Sequence, residues 1–152
     1  MNNESFFHNE LMGVVAIQSA LENSNEHRLS LAKVMLVLPL LFDKNIRSIL
    51  KRKNSVVLSS KDLLLSNPEA FINVRARYED LIITSLNSMI LIQELGIAAL
   101  TGEYLTLEKQ IFFQNKNEIG KIASDILAAG PKLGLLLNET NINLYQTFRI
   151  DL

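Results

Sequence analysis

The chain contains no cysteine. Disulfides, thiolate nucleophiles and cysteine-based metal sites are therefore excluded, which suits a reducing cytosol. Histidine is nearly as scarce, with only His8 and His27. A zinc site takes three or four ligands from His, Cys and acids. His8 and Glu10 stand two residues apart, so a helix points them to different faces, and neither histidine has metal-ligand spacing. The six glycines are isolated punctuation. No G-x-x-x-x-G-K-[ST] and no G-x-G-x-x-G occurs, so the standard phosphate-binding loops are missing. No G-x-S-x-G elbow occurs either. A long hydrophobic run is absent too. The most apolar window, residues 29–42, is interrupted by Ser30, Lys33 and Pro39. It falls short of the roughly 20 apolar residues that span a bilayer. The N-terminal Met1-Asn2-Asn3-Glu4-Ser5-Phe6-Phe7 lacks the basic and then apolar pattern of a secretory signal. Excess charge of one sign is missing as well. The formal net charge is -1, so no global basic field attracts nucleic acid or anionic lipid. These absences lead to the expectation of a cytoplasmic protein without membrane contact, and of no catalytic residue, no cofactor and no metal.

What remains is a well-formed apolar core. The 152 residues suit one domain covering 1–152. A chain of this size buries roughly 70% of the surface exposed when unfolded. Hydrophobic residues make up 48% and charged residues 20%. That balance argues against disorder and leaves apolar surface over for a partner.

The pattern predicts a mainly α, compact helical domain with a small β-hairpin. A first helix, capped by Asn3 or Ser5, runs to about Glu22 with one broad apolar face. A second, residues 29–42, is apolar nearly all round, belongs at the centre of the fold, and is kinked or ended by Pro39. Asp43-Lys44-Asn45 reads as a turn, and Ile46, Ile49 and Leu50 as a short third helix. Residues 55–58 are β-branched and read as a strand or extended link. Ser59 or Ser60 caps a short helix over 62–65, and Asn67-Pro68 opens a long one reaching Leu95. Its expected inner face is Leu81, Ile82, Ile83, Leu86, Met89, Ile90 and Leu95. Gly96 stops it. Residues 97–107 then form a hairpin around Thr101-Gly102-Glu103, which Ile111-Phe112-Phe113 could extend. From Asn117 a helical period returns, is broken or bent at Gly130-Pro131, and gives way to a last short helix around Ile142, Tyr145 and Phe148.

Two kinds of charge feature bear on function. Glu79-Asp80, and Asp62 with Glu69, are the carboxylate pairs that acid–base chemistry would need. Such pairs are common on solvated faces, and a hydrolase would require them to converge in a pocket. The sharper feature is the basic cluster Lys44, Arg47, Lys51, Arg52 and Lys53. Lys44, Arg47 and Lys51 share a helical face. The cluster is a candidate contact for DNA or an acidic partner; the plain alternative is a solvated helix end complementing the C-terminal dipole. The order helix, helix, hairpin is winged-helix-like over about residues 29–113. Arg75 and Arg77 are the only bases on the long helix, among Glu69, Glu79 and Asp80, which favours binding protein over reading DNA.

Several segments together resemble the middle component of bacterial three-component ABC-ATPase systems. They are the apolar helix 7–21 with Asn9, the run Leu36-Val37-Leu38-Pro39-Leu40-Leu41-Phe42-Asp43-Lys44 followed by Arg47 and Leu50, Asn67-Pro68-Glu69, the pair Arg75 and Arg77, Leu95-Gly96 with its hairpin, and the helix from Ala123 to Gly134. Glu10 replaces the proline common in the family, and Lys51-Arg52-Lys53 is a longer basic stretch than usual. The resemblance implies a non-enzymatic adaptor that bridges an SMC- or Rad50-like ABC ATPase and an effector, often a nuclease. Such systems resemble Lamassu-type defence against phage or plasmids, and DNA would be met through the complex. The alternative is a small winged-helix DNA-binding regulator.

Overall fold

The computed structural model describes residues 3–52, 59–114 and 120–151, with side chains from residue 9 onward. In chain order the elements are α1 (Asn3–Glu22), a 3-10 turn (Asn25–His27), β1 (Arg28–Ser30), α2 (Leu31–Leu41), α3 (Lys44–Leu50), α4 (Ser60–Ser66), α5 (Pro68–Phe71), α6 (Val74–Asp80) and α7 (Ile82–Glu94). The hairpin β2 (Ala98–Thr101) and β3 (Tyr104–Leu107) follows, then α8 (Gly120–Leu136) and α9 (Asn141–Thr147). The expected fold class stands: mainly helical, with a small antiparallel sheet. The expected link at 55–58, the cap at Asn117 and the base Lys53 lie outside the described residues.

Helix α1 is the spine. Its pattern suggests one apolar face, but the structure surrounds it with α8, α7 and α2. Every residue from Gly13 to Leu21 is buried, Gln18 and Ser19 included. Small residues make this enclosure possible. A methyl group at Gly13 would strike the Ser88 hydroxyl of α7. One at Gly130 or Gly134 of α8 would strike Ser19 or Asn23. Close-packed interiors tolerate little added volume, so these glycines set how near the helices approach.

Helix α2 is buried as its sequence predicts, with Val34 and every residue from Leu36 to Leu41 inside the core. Ser30 caps it by accepting from the Lys33 N–H at 3.4 Å. Pro39 lies within its last turn without ending it. Asp43, expected in a turn, is instead the N-cap of α3 and accepts the Ile46 N–H at 2.9 Å. Ser59 caps α4 by accepting from Asp62 at 3.1 Å. The single long helix expected from Pro68 to Leu95 is divided into α5, α6 and α7, with breaks at Ile72-Asn73 and Leu81.

Strand β1 separates the first two helices and pairs with β3, giving the order β1-β3-β2, all antiparallel. Leu29 faces Leu105 across the ladder and both are buried. The hairpin closes through Gly102-Glu103, with Gly102 at φ +63, a value glycine adopts without cost. No strand continues through Ile111-Phe112-Phe113. Those residues are fastened to α1 instead. The Gln18 carbonyl accepts from the Ile111 and Phe112 N–H groups, each at 3.0 Å, and its amide donates to the Phe112 carbonyl at 2.8 Å. A side-chain amide has replaced the ladder that the apolar run suggests.

Helix α8 runs through Gly130-Pro131 without interruption. Thr140 caps α9 by accepting from Asn143 at 3.1 Å. Glu139 just before it accepts from the Ser60 N–H and hydroxyl at 2.7 and 2.6 Å, tying α4 to the end of the chain.

Candidate partner-binding surface

Some of the residues that carried the family resemblance, Pro39, Asp43, Arg47 and Arg77, meet in one polar junction at the end of α2. Arg77 donates from Nε to the Pro39 carbonyl at 3.0 Å and from Nη2 to the Ala70 carbonyl at 3.3 Å. Its Nη1 pairs with Asp43 Oδ2 at 3.1 Å. Asp43 thus holds α6 with one oxygen and caps α3 with the other. Arg47 donates to the Leu41 carbonyl at 3.0 Å. Carbonyls at a helix C-terminus lack intrahelical partners, and arginines supply them here. Leu-Pro-Leu-Leu-Phe-Asp and Arg77 are therefore one structural unit.

The same geometry places the basic cluster. Lys44 is exposed. Arg47 is half-buried and engaged as described. Lys51 pairs with Asp125 of α8 at 3.2 Å. The Arg52 carbonyl accepts from Lys132. The Arg47 and Lys51 side chains and the Arg52 backbone thus serve contacts within the molecule, which the spacing of charges did not reveal. The carboxylate pairs are all exposed, with Glu79 joined to Arg75 at 3.3 Å. His27 is exposed, and no group of three or more His, Asp or Glu that could hold a metal occurs among the described residues.

The largest departure from the sequence reading is on α7. Its buried side carries Ser85, Ser88, Met89 and Ile92. Ser88 donates to the Glu10 carbonyl at 3.2 Å, and Asn87 to the Glu10 carboxylate at 3.0 Å. Ile83, Leu86 and Ile90, expected inside, are 62%, 42% and 55% exposed. Leu95 is exposed as well. Positions i, i+3 and i+7 form a continuous aliphatic stripe on the side of α7 turned away from the core. Met89 of the expected face is buried and Leu81 packs on the core, but close approach to Gly13 selects serine beside them and leaves Ile83, Leu86, Ile90 and Leu95 outside. A stripe of this kind is the sort of apolar patch that marks a contact site.

A polar cleft of about 290 Å³ lies on another side, between the 3-10 turn, β1 and the start of α9. There Arg28 pairs with Glu26 at 2.9 Å and lies 4.4 Å from the centre of the Tyr104 ring. Burial pushes the Lys33 ammonium pKa down, and the charge of Glu139 opposes the shift.

Fold and surface together define a small helical protein in which part of the basic cluster is tied inward and an aliphatic stripe on α7 reaches solvent. The model of the ABC-three component (ABC-3C) system Middle Component 3 family matches residues 12–152. The chain belongs to that family and is a middle component of an ABC three-component system. The match spans the Arg77 junction and the α7 stripe. Comparison with curated proteins and with solved structures gave no match.

Proposed function

We propose that the chain is a non-enzymatic adaptor that joins an SMC- or Rad50-like ABC ATPase to an effector in a cytoplasmic defence complex directed at phage or plasmids. The observation that carries this reading is the aliphatic stripe of Ile83, Leu86 and Ile90 in a family defined by membership of a multi-component system. An apolar helix face in water is best covered by another protein, and helix-in-groove contact is a common way to do so. Among the described residues no helix is long and apolar enough to cross a membrane, so the stripe is not part of a membrane-spanning helix.

The succession of the short helix α4, the helical stretch α5 to α7 and the β2–β3 hairpin is the basis of the winged-helix reading, which gives the DNA-binding alternative its interest. In that arrangement α7 would be the reading helix. It carries no Lys or Arg, ends in Glu94, and offers aliphatic side chains to the solvent. Phosphate contact needs bases on the docking element, so this helix suits a protein surface better.

Co-expression of the tagged chain with the ABC component and the third component of its own system tests the reading. Stable co-elution with the ATPase is the expected result. Elution alone would overturn it. Duplex binding at low salt that falls when Lys51, Arg52 and Lys53 become alanine would put the regulator in its place.

A further inference from the structure

A second apolar surface lies in the groove between α4, α5 and the end of α9. Its volume is about 470 Å³. Phe71 and Phe148 form the floor, their rings stacked with centroids 6.2 Å apart and planes 12° from parallel. Leu65 and Ile72 stand on its walls at 69% and 68% exposure, the two most exposed large hydrophobic residues among those described. The charged residues lining it are both basic, Arg75 and Arg149. Arg75 shares its charge with Glu79 at 3.3 Å, but both side chains are more than half exposed and such a pair is weak. Arg149 has no ion-pair partner among the described residues. It is held at the rim by an unusual backbone. Its φ is +58, a left-handed value that L-residues rarely adopt. The turn is locked by the Ile150 N–H donating to the Tyr145 carbonyl at 2.8 Å and by burial of Ile150. The same turn sets Phe148 in the floor and Arg149 at the edge.

We propose that this groove docks an acidic, apolar segment of another component of the three-component assembly. The proposal rests on the adaptor reading. Phe71 and Phe148 are themselves buried, so apolar side chains of the segment would cover Leu65 and Ile72 above them, and its carboxylates would meet Arg75 and Arg149. Guanidinium–carboxylate contact is directional, and it strengthens when a closed apolar rim excludes water. Arginines beside apolar side chains match the composition of protein interfaces, where Arg is enriched. A lysine-flanked segment would be repelled at the same rim.

The test uses the complete complex with a photo-crosslinking residue at Leu65 or Ile72, and at Ile122 of α8 as a control. Cross-links from 65 and 72, but not from 122, to a partner peptide carrying Asp or Glu beside apolar residues are expected. The Arg75→Glu, Arg149→Glu double variant should weaken association at least about tenfold, or about 1.4 kcal/mol, with its melting temperature unchanged. Changing the cross-linked acids to lysine should restore association. Arg149→Gly removes the charge with a residue that favours this φ, and should also weaken binding if the double variant fails to fold. A complex that forms normally without groove cross-links overturns the docking site alone. So do cross-links to a segment without acids or to a second copy of this chain. Absence of any complex overturns both the site and the adaptor reading.

Discussion

Helices α2 and α7 are both rich in aliphatic residues, yet they point them in opposite directions. In α2, Val34, Leu36, Val37, Leu38, Leu40 and Leu41 are all buried. In α7, Ile83, Leu86 and Ile90 face solvent while Ser85 and Ser88 face the core. The difference lies in what covers each helix. Neighbours surround α2, so its aliphatic residues have no way out. Helix α7 meets α1 along one line, where Gly13 admits nothing larger than Ser88. Hydrophobicity thus fixes the centre of this protein, whereas residue size fixes its edge, and the aliphatic residues displaced to the edge become available for a partner.

The comparison can be broken from either side, and the core side should give the largest effect. Leu38→Ala in α2 removes a fully buried side chain. Urea unfolding should show a loss of about 2–5 kcal/mol. Gly13→Val forces the α1–α7 contact apart, with an expected loss of about 1–3 kcal/mol and a visible shift of α7 amides in NMR spectra. Arg77→Leu orphans the Pro39 and Ala70 carbonyls and the Asp43 carboxylate. The same unfolding assay should register roughly 1–3 kcal/mol. An unchanged midpoint would mean that the junction is not structural.

Two smaller effects refine the account. The Ser85 hydroxyl is buried with no hydrogen-bond partner among the described residues. Ser85→Ala should therefore be neutral or slightly stabilising, since it removes an unsatisfied group. Glu22 is half-buried, and desolvation raises its pKa above the ordinary 4.5, while the Gln18 hydrogen bond and the charge of His27 oppose the shift. A carboxyl whose folded pKa is raised contributes most below 4.5 and loses that contribution as pH climbs through the folded value. The stability of Glu22→Gln relative to the parent should therefore rise from acid to neutral pH, measured by thermal melts at each pH. A constant difference would show that burial does not govern this group.

Much of the fold was legible because it is local. Ser30 and Ser59 announce their caps, Gly96 ends α7 and Gly102 makes the hairpin, and the apolar density of α2 marks the centre. The features that escaped depend on residues far apart in the chain. Gln18 reaches 93 and 94 residues ahead to fasten Ile111 and Phe112, which the β-branched and aromatic run had suggested as strand. Arg77 reaches back 38 residues to the Pro39 carbonyl. Lys51 finds Asp125, so a run of bases that resembles a binding face is partly internal mortar. The α7 stripe escaped for the same reason. Which face of an amphipathic helix turns inward depends on the helix it meets, and Gly13 meets Ser88 in space although the two lie far apart in the chain.

The claim that the α7 stripe belongs to a partner and not to the core is tested most directly by Ile83→Ser, Leu86→Ser and Ile90→Ser combined in one chain. Melting temperature and ATPase co-elution would be measured on the same preparation. An unchanged melting temperature with co-elution lost is the predicted result. A large fall in melting temperature, comparable to that of Leu38→Ala, would make the stripe part of the chain's own core. Intact co-elution would show that the partner binds elsewhere, and either result would contradict the account.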